Sequence, residues 1–202
     1  YRVGSRHEVP GWTGLSHLLE HMMFKGTPKY GKGEFSRIVA KNGGTENAFT
    51  GRDYTAYFEN LSSDRIGLSL ELESDRMVNL LMDPKEFNLE REVVKEERRL
   101  RTEDDPKSYL IEQMYSVAFL THPYRSPVIG WMEDLNRLTP QDAQRHYSTY
   151  YRPNNATLVV VGDIGPEALL PKIKEYFEKI PRGPDPPPPL SYEPDQKGER
   201  RI

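Results

Sequence analysis

The run His17-Leu18-Leu19-Glu20-His21 constrains this chain more than any other feature, because it is coherent only on a helix. Histidines four apart project from one helical face, one turn above each other. Their imidazoles can then meet a single metal ion. Glu20, three residues after His17, shares that face and reaches a water on the metal. A helix is predicted from about Gly14 to Lys25, with Thr13 as N-cap and Gly26-Thr27-Pro28 as the stop. The layout is that of a zinc hydrolase, in the inverted order of the commoner His-Glu-x-x-His motif.

Composition narrows the alternatives. The chain has no cysteine, so disulfides and thiolate ligands are excluded and any metal is held by His, Asp or Glu. A net charge of -3 gives no basic field for nucleic acid or an anionic membrane. No run approaches the roughly 20 apolar residues of a membrane helix. At 202 residues and 36% hydrophobic, the chain can bury a core as one large domain or two small ones. Tyr1-Arg2-Val3-Gly4-Ser5 reads as the tail of a strand entering a turn. An upstream segment, and with it any targeting signal, is therefore expected to be missing.

Further along, a second helix is predicted over 33–41, ending at Asn42-Gly43-Gly44. Strands follow at about 45–50 and 54–60. A long helix capped by Ser62 or Ser63 runs to about Met82, with Ile66, Leu70, Met77 and Leu81 as its apolar residues. Charged and mixed helices follow over 85–102 and 107–120. Thr139-Pro140 opens a helix to about Tyr151. Leu158-Val159-Val160-Val161 reads as a strand buried on both faces, and Pro166 starts a last helix. Seven prolines between Pro181 and Pro194 mark an extended linker. The expected organisation is one domain over 1–180 and a Pro-rich linker over 181–202 leading to an absent second domain. The element order suits an α+β fold, with helices packed on a mostly antiparallel sheet.

Two histidines hold zinc weakly, and a catalytic site has three protein ligands plus an open position. His7 and His122 lie in loops and His146 on a polar helix face, so surface histidine is the default for each. The charged helix offers Glu90 and Glu97, seven apart and pointing in nearly the same direction. A face carrying Val93, Val94 and Glu97 would turn towards the core, where a carboxylate needs a compensating charge such as a metal. The competing reading is a solvated Glu/Arg helix with pairs such as Glu97 with Arg101. Gly44–Thr50 reads as an exposed sheet edge to which an unfolded peptide adds as a strand. An ordinary strand packed inside the sheet is the alternative.

With Glu97, the His17-x-x-Glu20-His21 motif resembles the signature of the pitrilysin/insulinase (M16) family of zinc peptidases, in its N-terminal catalytic domain. The mitochondrial processing peptidases and many bacterial homologues belong to that family. Gly14-Leu15-Ser16, Met22 to Thr27, Asn42 to Thr50, Asp53 to Tyr57, Pro123 to Gly130 and Tyr151 to Asn155 continue the likeness. The resemblance implies a LuxS/MPP-like metallohydrolase domain holding one Zn2+ per chain on His17, His21 and Glu97. It implies Glu20 as the general base, taking a proton from a water whose pKa zinc lowers towards ~7. Glu90 is set with Glu20 in the catalytic group, as an acid that orients a histidine or Glu97. Asn47, Ala48 and Phe49 are implied to bind substrate.

The activity implied is zinc-dependent cleavage of extended or unfolded peptides. The partners implied are the peptide and a second homologous domain or subunit, with no nucleic acid and no membrane. A non-catalytic, peptide-binding scaffold subunit is the alternative, and an inverted-motif hydrolase of small substrates is a third reading. Compartment is left open by these residues. Bacterial periplasm or cytoplasm is the expectation, with the mitochondrial matrix reading alike.

Overall fold

The fold is seen in a computed structural model that describes residues 1–189 and 191–201. Leu190 and Ile202, both within the expected linker, lie outside the described residues. The core gathers around helix α1 (Leu15–Met22). Its Leu15, Leu18, Leu19 and Met22 are buried, the i, i+3, i+4, i+7 stripe of an amphipathic helix. They pack in one cluster with Phe87, Val94, Leu135, Ala143 and Tyr147. Each buried Leu, Met, Phe or Val here contributes about 1.5–3 kcal/mol by leaving water.

Helices α4 (Pro84–Arg98) and α7 (Pro140–Tyr150) pack on α1, α8 (Pro166–Phe177) packs on α3 (Ile66–Asn79), and α2 (Glu34–Lys41), α5 (Pro106–Ala118) and α6 (Met132–Leu135) complete the set. No helix among the described residues is long and apolar enough to cross a membrane.

The start of α1 differs from expectation. Gly14, at φ +84°, is the N-cap, and the Thr13 hydroxyl instead donates to Asp134 at 2.6 Å. The capping acceptor is Glu8, whose carboxylate takes the N–H groups of Gly14 and Ser16 at 2.8 and 2.7 Å. A Cβ on Gly14 would stand 2.5 Å from the Ile129 carbonyl, and one on Gly130 2.5 Å from the Thr13 carbonyl. Both glycines have positive φ, so two backbones meet here at a distance that only glycine permits.

Helix α4 starts one residue earlier than predicted, capped by the Asp83 carboxylate with Pro84 in its first turn. Its α-helical part stops at Arg98, and a π-helical turn over Arg99–Glu103 completes the expected span. Its core side carries Phe87, Val94 and Arg98. Val93, expected to face inwards, is 49% exposed, because it sits about 100° round the helix from Val94, outside the face that Phe87, Val94 and Arg98 turn to the core.

The sheet also departs from expectation. Strands β1 (Thr45–Thr50) and β2 (Thr55–Asn60) pair antiparallel, Asn47 opposite Phe58 and Ala48 opposite Tyr57. Among the described residues the sheet has these two strands only, so the molecule is helix-rich and much of its core is helix on helix. The run 156–161 is not a buried strand. Val159 and Val161 are 74% and 92% exposed. A strand needs a neighbour to complete its ladder. The nearby extended segment, Tyr1–Val3, bonds Thr55 on one side and Asn155 on the other without pairing with 156–161.

Candidate metal centre

The fold brings the two halves of the motif's chemistry together. Helix α1 presents His17 and His21 towards α4, and α4 presents Glu97. Glu97 Oε2 lies 3.7 Å from His17 Nε2 and 3.4 Å from His21 Nε2. The donor atoms of these three residues all lie within 4.8 Å of one another, and among the described residues they form the one such group. Tetrahedral zinc, with bonds of about 2.0–2.2 Å to nitrogen and oxygen, needs donors at about this mutual spacing. The set therefore fits the ion in both chemistry and geometry.

Two of the three donors, His21 and Glu97, are held at their other end. His21 Nδ1 lies 3.1 Å from Glu90 Oε2, and Lys25 Nζ binds the other Glu90 oxygen at 2.5 Å. Arg101, from the π-helical turn, holds Glu97 Oε1 at 2.7 Å. The Glu97–Arg101 pair and the approach of Glu97 to the histidines thus exist together, one on each carboxylate oxygen. Glu90 orients His21 specifically. This is how carboxylates commonly fix the tautomer and ring plane of a metal-ligating histidine. Among the described residues, buried His17 Nδ1 has no hydrogen-bond partner.

The electrostatics suit a site that trades protons for a cation. Burial, and then the charge of His21, pushes the His17 pKa well down, so its lone pair is free at neutral pH. Burial would also lower His21, but the hydrogen bonds with Glu90 and Glu97 outweigh it and raise the pKa to about 9. Glu97 is held below the usual carboxylate range, first by its hydrogen bond to His21. A cation entering here displaces the His21 proton, so affinity rises with pH.

Glu20, on the same helix, stands apart from the three donors. It is nearly buried, and its Oε2 accepts a 2.5 Å hydrogen bond from Thr50 Oγ1 at the end of β1. Burial raises its pKa, against the opposing hydrogen bond from Thr50. A carboxylate with a raised pKa is a better general base at neutral pH. Glu20, His17, His21 and Glu97 line an open cavity of about 580 Å³, with Asn47, Ala48, Phe49 and Thr50 along one side. Asn47 and Phe49 are exposed, and β1 has β2 on one edge and no strand on the other among the described residues.

The remaining histidines take no part. His7 and His122 each accept a backbone N–H on Nδ1, from Gly4 and Tyr124. His146 is not on a polar, solvent-facing surface as expected. It is buried in α7, with Nε2 3.1 Å from Ser16 Oγ, because α7 packs its Ala143–Tyr147 side onto α1. Three contributions escaped sequence reasoning: Thr50 as the anchor of Glu20, Lys25 on Glu90, and Glu8 as the distant cap of α1. Only the Arg101 pairing carried a local signal, its i+4 spacing from Glu97.

Comparison with known proteins identifies the family. The family model described as Insulinase (Peptidase family M16) matches residues 2–130, and one described as Peptidase M16 inactive domain matches 137–202. The chain is 40% identical over 202 residues to "Zinc protease PqqE" of Helicobacter pylori, covering 99% of this chain and 46% of that protein. It therefore spans just under half the length of that curated relative. A crystal structure of a protease from Helicobacter pylori superposes with a TM-score of 0.95 at 40% identity, covering 98% of this chain and 48% of the other. The periplasmic protease PqqL from Escherichia coli superposes with a TM-score of 0.85 at 26% identity, over 96% and 22%. With most of its length, metal-donor set included, inside the first family match, the chain belongs to peptidase family M16, the insulinase family.

Proposed function

We propose that this chain is the zinc-binding catalytic domain of a metalloendopeptidase that hydrolyses extended or unfolded peptides. One observation carries the reading. His17 Nε2, His21 Nε2 and Glu97 Oε2 converge in a cavity that Glu20 and the free edge of β1 also line. His17, His21 and Glu97 would hold one zinc ion per chain, which when bound would supply the Lewis acidity to acidify a water and polarise the scissile carbonyl. Glu20 takes the water's proton and later gives it to the leaving amine. Thr50 aims Glu20, and Glu90 and Arg101 keep His21 and Glu97 in place. Asn47, Ala48 and Phe49 bind the peptide by strand addition, with main-chain hydrogen bonds that ask little of its sequence.

The finer architecture belongs to the same proposal. Residues 1–180 form an α+β domain of the LuxS/MPP-like metallohydrolase kind, and 181–202 form a linker. Its support is the absence of any helix or strand among the described residues after Phe177. A second homologous domain or subunit completes the molecule, in keeping with the 22% of PqqL that this chain covers. The compartment proposed is bacterial, periplasmic or cytoplasmic. The Escherichia coli relative is described as periplasmic.

A scaffold subunit that binds peptide without cutting is the second reading, favoured by the match of 137–202 to a model described as inactive. All four metal-site residues fall in the other match, 2–130. Glu20→Gln separates the two. Cleavage of an unstructured fluorogenic peptide is expected to drop by at least about a hundredfold while bound zinc, measured by metal analysis, is unchanged. Equal cleavage by both proteins removes Glu20 as the base, and no cleavage by the unaltered protein favours the scaffold.

A further inference from the structure

The cavity beside the metal set holds an arginine that nothing above employs. Its acids are engaged: Glu97 by Arg101, Glu20 by Thr50, and Glu112 by a two-pronged bond from Arg98. Among its arginines, Arg125 donates to the Leu120 carbonyl. Arg52 is different. Among the described residues no carboxylate forms an ion pair with it, and its buried Nε has no hydrogen-bond partner.

Arg52 is nonetheless held in place at both ends. Its backbone carbonyl accepts from Arg6 N at 2.9 Å, and the turn that carries it is closed by Gly51 N to Tyr54 O at 2.8 Å. Its guanidinium lies over the Tyr115 ring at 3.9 Å and near Tyr124 at 5.6 Å. Stacking uses the guanidinium faces and leaves the N–H fork free for a bidentate anion. Arg52 follows Thr50 by two residues, so it stands where a peptide laid along β1 reaches the end of the strand.

We infer that Arg52 is a specificity-determining residue that receives a carboxylate of the bound peptide. The peptides preferred carry an acidic side chain, or end in a free carboxylate, a few residues from the scissile bond. This rests on the peptidase reading above and names the substrate class of the same site. The planar fork, stacked on Tyr115 and without an ion-pair partner among the described residues, gives a charge-assisted pair worth more than a surface contact.

The test uses the complete, zinc-loaded gene product and matched peptides with Glu or Gln flanking the cleaved bond, each with a free or amidated C-terminus. The Glu peptide, or the free-acid peptide, is expected to show a kcat/KM about tenfold above its neutral match. Which of the two shows the gain identifies a side-chain or a terminal carboxylate. In Arg52→Gln the ratio is expected to fall towards one, and in Arg52→Lys to recover in part, because charge returns without the fork. No preference in the unaltered protein, or the same preference in Arg52→Gln, overturns the inference. If no peptide is cut, the peptidase reading fails separately. Affinities of the same peptides for zinc-loaded Glu20→Gln, with and without Arg52→Gln, then read Arg52 by calorimetry, and equal affinities overturn it.

Discussion

At the scale of single residues, two buried groups beside α1, His146 and Glu8, shape how stability responds to pH. Burial, aided by the charge of His7, pushes the His146 pKa down to about 3, against about 6.5 in an unfolded chain. Below pH ~6.5 the unfolded chain takes up a proton that the folded one refuses. The stability this neutral histidine contributes is therefore full above pH ~6.5 and is lost as pH falls towards 3. Glu8 runs the other way. Burial raises it to about 7, so its contribution is full below about pH 4.5 and lost as pH rises through 7. His146→Gln is expected to flatten the acid-side loss, read as a smaller drop in urea midpoint between pH 7 and pH 5. An unchanged drop would place the acid sensitivity elsewhere.

At the scale of elements, α4 is both a metal-site wall and a structural bolt. One turn past Val94, Arg98 is buried and donates to both Glu112 oxygens of α5 at 2.7 and 3.0 Å and to the Gly130 carbonyl at 2.9 Å. That bond set ties α4 and α5 to the loop that meets Gly14. Glu112→Ala leaves the buried guanidinium with the Gly130 carbonyl and the more exposed Glu103, 3.2 Å from Arg98 Nε. A cost below the ~3–5 kcal/mol of a fully orphaned buried charge, yet above a surface pair's, is therefore expected, measured by equilibrium denaturation. A loss under about 1 kcal/mol would mean that solvent reaches Arg98.

The same elements mark the limits of the sequence pattern. Both strands and helices α2, α5 and α7 lie within one or two residues of their expected bounds, because Gly, Pro and Asx/Thr capping signals act locally. The inward turn of Val93 and the buried strand over 156–161 were misjudged. Hydrophobicity alone does not say which partner a segment meets.

At the scale of the whole molecule, a metal bound between α1 and α4, as proposed, would tie distant parts of the chain into one unit. A ligand that binds only the folded state adds RT ln(1 + [L]/Kd), about 4 kcal/mol at a thousandfold excess over Kd. Chelation is therefore expected to lower the melting temperature by several degrees, with zinc restoring it. Glu97→Ala should lose most of the zinc-dependent shift. A melting point indifferent to both chelator and zinc would count against a folded-state zinc site on His17, His21 and Glu97.

What the sequence alone determined is the part with fixed internal spacing. An eight-residue helix places His17 and His21 one turn apart wherever that helix lies, and the absence of cysteine limits the ligands to nitrogen and oxygen. The Glu97–Arg101 pair was legible for the same reason, as a property of one helix and its continuation. Tertiary structure alone decided which oxygen of Glu97 faces the histidines, that Thr50 aims Glu20, that Glu8 caps α1, and that no acid among the described residues pairs with Arg52. These contacts join residues far apart in the chain. Their geometry comes from how α1, α4 and the β1–β2 hairpin pack, which no local periodicity encodes.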